Sequence, residues 1–233
     1  GKTFVIKYGG AIMTDENLKS MIAQDVTLLR KIGINIVIVH GGGKEITSLA
    51  EKLNIESKFV NGQRYTDESM RDIVQMVLAG LINKDIVRRI NIHGGRAVGI
   101  SGIDANLITV NNINKELGLV GEVTDVNSSF IKNLLNDGYL PVIAPIGINS
   151  DGVINNVNAD LAAGPIAASI NAEKLVYITD TDGVKVNNET ISHLTESESK
   201  KLIEQKIISG GMIPKVESAL AEIDASYAGV ASK

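Results

Sequence analysis

The sequence predicts an α/β fold built on a mostly parallel sheet, and three observations carry that prediction. Short runs rich in Val and Ile alternate with amphipathic helical stretches along most of the chain. Two early runs end directly in glycine clusters, Lys7-Tyr8-Gly9-Gly10 and His40-Gly41-Gly42-Gly43, and a helical pattern follows each. The 233 residues bury a sizeable core but are too few for two independent enzymes.

Taken in order, residues 3–8 read as a buried strand, and 16–32 as an amphipathic helix with Thr14 and Asp15 as cap candidates. Residues 35–40 form the next strand. Strand, helix and strand joined by a right-handed crossover make the βαβ unit of a parallel sheet. The second glycine run opens a helix over 45–53, residues 67–92 read as one long helical segment interrupted near Gly80, and 96–101 return as a strand. Residues 103–124 are Asn-rich and punctuated by glycine, which predicts hairpins projecting from the main sheet. Helix 128–136, strand 140–144, helix 160–170 and strand 174–179 restore the alternation, and helices over 196–206 and 214–228 complete it. Without a repeat, a low-complexity tract or a Pro/Ser-rich linker, a lobe boundary is expected inside continuous structure near residue 155.

Composition excludes several classes. Lys and Arg number 23 against 27 Asp and Glu, and no basic stripe is interleaved with aromatics, so nucleic acid is not an expected partner. With no Cys and three His far apart in sequence, neither a disulfide framework nor a resident zinc site is expected, and any metal arrives with a ligand. Apolar runs are of strand length, and no signal peptide opens at Gly1, so the expectation is a protein of the cytoplasm or an organelle stroma, away from membranes.

The chemistry-bearing residues gather at predicted strand ends. Consecutive glycines let a backbone approach a phosphate or carboxylate and offer it N–H groups, although either loop alone also reads as an ordinary tight turn. Gly43-Lys44 is followed by Glu45, so this is no Walker A loop, and no G-x-G-x-x-G follows a strand. Lys7 at the tip of its strand either snorkels to solvent or places a point charge on a transferring phosphoryl group. Lys215, just inside a helix behind Gly210-Gly211 and Pro214, presents the same choice. In Asn155-Asn156-Val157-Asn158-Ala159-Asp160 an N-cap explains one polar residue and not all four. Arg64, in a polar loop, is either a surface residue or a bidentate clamp for a carboxylate.

Taken jointly, these pieces resemble the amino acid kinase family, and within it the acetylglutamate branch. The matching segments are VIKYGGAIM (5–13), IVHGGG (38–43), NGQRYTD (61–67), GGRAVGISG (94–102), ELGLVGEV (116–123), GYLPVIAPIG (138–147), NNVNADLAA (155–163), ITDTDGV (178–184) and GGMIPKVESAL (210–220). They span nearly the whole chain. The glycine motifs mark the superfamily, whereas NGxRxTD and NVNAD point to the branch. Kinases of the same superfamily acting on aspartate, glutamate, carbamate or UMP, and a non-catalytic regulatory relative, remain the alternatives at this point.

The resemblance implies a three-layer fold, an open, mostly parallel sheet between helix layers, assembled as a homodimer. It implies transfer of the γ-phosphoryl group of ATP to the side-chain carboxylate of N-acetyl-L-glutamate, an early step of arginine biosynthesis, with Mg²⁺ carried mainly by the nucleotide phosphates and ADP released. Lys7, Asp160 and Lys215 would be catalytic, with Asp160 holding the two lysines. Gly42, Gly43, Arg64 and Asn156 would bind the amino-acid substrate, and Gly9, Gly10, Asp180, Gly183, Gly211 and Met212 the nucleotide. Residues 1–155 would form the substrate lobe with the dimer surface, and 156–233 a nucleotide lobe that relatives extend by a further strand, helix and hairpin. Three departures are visible: that C-terminal part, a short segment after ITDTDGV, and Ile103 and Ala105 where Lys and Gly are more usual, which is expected to alter the substrate-side wall. A glutamyl carboxylate, with a pKa of ~4.3, is already ionised at pH 7 and needs no general base, so the lack of a His or Cys catalyst fits this chemistry.

Overall fold

The structure, a computed structural model, describes residues 1–60, 62–179, 183–186, 189–210, 212–220 and 228–231. Strand β1 (Thr3–Tyr8) leads through a 3₁₀ turn into helix α1 (Glu16–Lys31), whose N-cap Asp15 accepts from the amides of Asn17 and Leu18. Strand β2 (Asn35–His40) runs directly into α2 (Gly43–Lys52), which starts two residues earlier than the apolar pattern suggests because Gly43 itself enters the first turn. A short hairpin of β3 (Phe59–Val60) and β4 (Gln63–Arg64) precedes α3 (Glu68–Gln75), a π-helical turn (Met76–Ile82) and α4 (Asn83–Ile92).

Strands β5 (Ala97–Ser101), β6 (Ile108–Asn112) and β7 (Gly121–Val126) come next, then α5 (Ser128–Asn136), β8 (Leu140–Ala144), β9 (Ile146–Ile148) and β10 (Ile154–Asn156). The chain continues through α6 (Ala159–Ser169), β11 (Lys174–Ile178), the β12 (Lys185–Val186) and β13 (Glu189–Thr190) hairpin, α7 (Glu196–Glu204), α8 (Met212–Leu220) and β14 (Ala228–Ala231). Ala228 was expected at the end of a helix and instead begins a strand. Its partner is the outer edge of β11, whose backbone groups would otherwise lack a ladder, and Gly229 and Val230 suit a strand better than a helix.

The central sheet has six strands in the order β14-β11-β1-β2-β8-β5, and every pairing in it is parallel. Strand β1 therefore sits where the two halves of the sheet meet, and ligands of open sheets bind at the carboxyl ends beside such a junction. The expected hairpin region is present as β6 and β7, which pair antiparallel and join β9 and β10 in a second, mixed sheet of four strands.

Two apolar cores cover the faces of the central sheet, and alternation along each strand decides which side chain enters which. Ile6 and Tyr8 of β1 with Ile36 and Ile38 of β2 face α1, α3 and α4. Val5, Val37, Val39, Leu175 and Tyr177 face α6, whose Ala162, Ala163, Ile166 and Ala167 are fully buried. By the same parity Lys7 falls on the α6 face and His40 on the α4 face.

The interruption expected near Gly80 is the π-helical turn. One extra residue shifts the buried stripe from Met70, Ile73, Val74 and Val77 to Ile82, Asn83, Ile86 and Ile90, and leaves Leu81, four residues past Val77, 63 % exposed. Ala105 sits at φ 52°, ψ 30°, in the left-handed region where glycine is at ease. Ala105→Gly should therefore raise stability by about 0.5–1 kcal/mol, or roughly 2–3 °C in Tm, after the entropy cost of a glycine. A thermal melt checks this, and an unchanged or lower Tm would show that the strain is relieved elsewhere.

Candidate active site

A cleft of about 250 Å³ opens at the carboxyl ends of β1 and β2, lined by Lys7, Gly9, Gly10, Gly42, Gly43, Arg64, Asn156 and Asp160 among others. Lys7 does not snorkel: it is 7 % exposed, and its ammonium lies 2.7 Å from Asp160 Oδ1. The other carboxylate oxygen of Asp160 accepts from Lys215 Nζ of α8 at 3.2 Å. One carboxylate thus joins two cations from opposite ends of the chain at the mouth of the cleft. Asp160 is spared for this because Asn158 takes the N-cap of α6, accepting from the Asp160 amide at 2.8 Å. Tyr177, beneath them in β11, donates to the Asp160 carbonyl at 3.3 Å.

The glycine loops are shaped by close approach. A Cβ on Gly9 would lie 2.8 Å from Lys7 Nζ, and one on Gly42 would lie 2.3 Å from Ile82 Cδ1, so neither position accepts a side chain without displacing its neighbour. Helix α2 starts without a side-chain cap, leaving first-turn N–H groups for an anion.

Arg64 is buried and built into this wall. Its Nη1 donates to Ser57 Oγ at 2.8 Å, its Nη2 to Gly43 O at 2.9 Å and Thr47 Oγ1 at 2.8 Å, and its guanidinium lies 4.7 Å from the Phe59 ring centroid. The Nε–H and one Nη1–H keep no partner among the described residues. Asn156 Nδ2 donates to Thr66 Oγ1 at 3.2 Å, and Thr66 in turn donates to the Arg64 carbonyl at 3.1 Å, so the two candidate substrate residues share one scaffold. Ile103 and Ala105 are not part of this wall, contrary to the expectation from sequence. Ile103 packs on the apolar core instead.

A second cleft of about 250 Å³ adjoins, lined by Tyr177, Gly183, Val184, Ile191, His193, Lys215, Val216 and others. Lys215 therefore stands between the two clefts, facing one and bonded to Asp160 of the other. Met212 opens α8, while Asp180 and Gly211 lie outside the described residues.

His40 is the one buried histidine among the described residues, at 0 % exposed, and burial pushes its pKa down to about 4, opposed by its bond to Gly41 and reinforced by the Lys84 ammonium. It stays neutral at pH 7 and does not line either cleft. Among the described residues no cluster of His, Asp and Glu could hold a metal, and Asp160, the one carboxylate lining the two clefts, is occupied by two ammonium groups. No helix among them is long and apolar enough to cross a membrane. Sequence reasoning missed Thr47, Ser57, Thr66 and Asn83. Asn83 heads the polar triplet Asn83-Lys84-Asp85, so nothing in the sequence sets it apart from its polar neighbours.

The sequence matches the Amino acid kinase family over residues 2–228. It is 54 % identical over 226 residues to an acetylglutamate kinase of Chlorobium chlorochromatii (strain CaD3), covering 96 % of this chain and 79 % of that one. Among solved structures it resembles smu.665 from Streptococcus mutans UA159, with a TM-score of 0.83, 28 % identity and coverage of 99 % of this chain and 94 % of that one. At 17 % identity, carbamate kinase from Giardia lamblia bound to AMP-PNP shares the fold, with a TM-score of 0.74 and coverage of 100 % of this chain and 92 % of that one. A family match over nearly the whole length, on a parallel sheet whose strand ends carry the glycine loops and the joined cations, places the chain in the amino acid kinase family.

Proposed function

We propose that the chain phosphorylates the side-chain carboxylate of N-acetyl-L-glutamate with ATP, giving N-acetyl-L-glutamyl 5-phosphate and ADP. The observation that carries this reading is the Lys7–Asp160–Lys215 cluster between two clefts, with no general base beside it. A carboxylate oxygen attacks the γ-phosphorus, the bond to the β–γ bridging oxygen breaks, and the electron pair leaves on ADP. Both reactants are anions, so the chain's task is alignment and charge neutralisation. Lys7 and Lys215 stabilise the transferring group, Asp160 fixes where they point, and the amides of Gly10, Gly42 and Gly43 border it. Mg²⁺ fits as a companion of the nucleotide phosphates, where it offsets part of their charge, because Asp160 is already engaged.

Arg64 and Asn156 sit in the first cleft and are assigned to the α-carboxylate and the acetamido group. The second cleft, lined in part by Gly183, is assigned to the nucleotide, together with Met212 at the start of α8. The lobes divide near residue 155 on this reading. Exposed Met76 and Leu81 on the π-helical turn and Ile92 at the end of α4 support a homodimer surface on the substrate lobe, and a cytoplasmic enzyme of arginine biosynthesis is the setting.

Specificity tests the assignment. A ligand without the acetyl group leaves polar groups unpaired and adds an ammonium, costing about 1–3 kcal/mol, or roughly one to two decades in kcat/KM, before the charge penalty. Arg64→Lys should also lower kcat/KM, since an ammonium cannot hold Gly43, Thr47 and Ser57 together as the guanidinium does. The measurement is kcat/KM for N-acetylglutamate, glutamate, aspartate and UMP. Equal values for the acetylated and free amino acid would move the assignment to a neighbouring kinase.

A further inference from the structure

Behind the glycine loop lies a buried polar cluster to which the chemistry above gives no task. His40 and Asn83 are each 0 % exposed, on facing elements β2 and α4. His40 Nδ1 lies 3.0 Å from the Gly41 carbonyl oxygen, which can only accept, so Nδ1 carries the proton. Its Nε2 lies 3.2 Å from Asn83 Nδ2, which can only donate. The Asn83 amide cannot be turned around, because the same nitrogen is 2.9 Å from Val142 O and 3.3 Å from Ile100 O while Oδ1 accepts from Lys84. Asn83 Nδ2 has two hydrogens for these three acceptors, so one hydrogen is shared, and a ring with Nδ1–H and a bare Nε2 is the one neutral tautomer that fits. The low pKa of the buried ring agrees with it.

The peptide that His40 grips is the one joining Gly41 to Gly42. A peptide is planar and trans, so holding its carbonyl on the His40 side sets its N–H, the Gly42 amide, on the other. Gly42 lines the cleft, and the Gly41 amide is tied down separately to Tyr8 O at 2.9 Å. Asn83 is the first residue of α4 after the π-helical turn, and Leu78 and Ile82 of that turn are the side chains that close on Gly42.

We propose that His40 and Asn83 form a positioning pair that aims the Gly42 amide into the cleft for phosphoryl transfer, and that the π-helical turn delivers Asn83 to it. The catalytic part of this rests on the function proposed above, whereas the tautomer and the loop geometry do not.

The ¹⁵N shifts of the imidazole rings at pH 7, with His40 identified by the signals lost in His40→Asn, should show a protonated Nδ1 and a bare Nε2. His40→Asn keeps a donor near Nδ1 and should retain kcat within a few-fold. His40→Gln extends past that point, and Asn83→Ala removes the ring's anchor. Both should lower kcat per folded molecule by about 10–100-fold, as displacement of a positioned group does, and leave KM for ATP unchanged. A purely structural role would lower Tm in all three variants and leave kcat per folded molecule alone. The proposal is overturned by an Nε2–H tautomer or an imidazolium at pH 7, or by unchanged kcat in both His40→Gln and Asn83→Ala. If the wild type phosphorylates none of the acceptors tested, the functional reading fails separately. Amide exchange at Gly42 then decides the loop: faster exchange in His40→Gln than in His40→Asn supports the pair, and equal rates overturn it.

Discussion

Lys215→Ala should lower kcat by about 10²–10³-fold while leaving KM for N-acetylglutamate nearly unchanged, the behaviour of an enzyme that has lost one preorganised charge donor used in the transition state. Lys215 lines the second cleft, not the one assigned to the amino acid, so ground-state binding of the acceptor does not depend on it. Its loss also leaves Asp160 paired with Lys7 at 2.7 Å, so no buried charge is stranded and the unfolding midpoint in urea should move little. Steady-state kinetics on the folded variant make the test. A wild-type kcat would remove Lys215 from the mechanism.

Asp160→Ala should behave in the opposite sense, as a stability mutant first. The Lys7 and Asp160 side chains are 9 % and 13 % exposed, so deleting the carboxylate strands a desolvated ammonium and brings it under repulsion from Lys215. Breaking a buried pair from one side costs about 3–5 kcal/mol, here roughly 10 °C in Tm. Replacing both partners by apolar groups is far less costly. The double variant Lys7→Met, Asp160→Ala should therefore recover much of the lost stability without recovering activity. If the double variant melts as low as Asp160→Ala, the loss comes from packing of α6 and not from the unpaired charge.

Much of the scaffold is legible because local patterns agree with the final fold. Val and Ile runs mark five of the six strands of the central sheet, all but β14, and the glycines after Tyr8 and His40 mark where ligand-facing turns must form. The helix at 128–136 and the strand at 140–144 fall where the periodicity places them. Parity along β1 even decides that Lys7 and Val5 share a face, once that face is known to receive α6.

What stayed hidden depends on partners distant in sequence. Near Ala228 only Gly229 and Val230 hint at a strand, which exists to complete the edge of β11. A break near Gly80 is legible, but a count that assumes one helical period does not reveal the extra residue that leaves Leu81 exposed and Asn83 buried. Thr47 and Ser57 look like ordinary polar residues until Arg64 folds between them. In the Asn-rich segment before α6, the choice of Asn158 as cap and Asp160 as charge partner needs the positions of Lys7 and Lys215, which sequence alone does not supply.

The charged cluster draws its three members from the first strand, from α6 and from a helix a further 55 residues along, and this fixes an order of events during synthesis. A chain emerging from the ribosome carries both glycine loops, Arg64 and Asn156 long before α8 is made, so every residue assigned to the amino-acid substrate is present while the second cation is still missing. Until α8 docks, Asp160 has Lys7 as its one ion-pair partner among the described residues, and on the proposed reading the half-finished protein would hold a substrate without acting on it. On the same reading, proteolytic removal of α8 from the mature protein would return it to that state, a binder without the second cation.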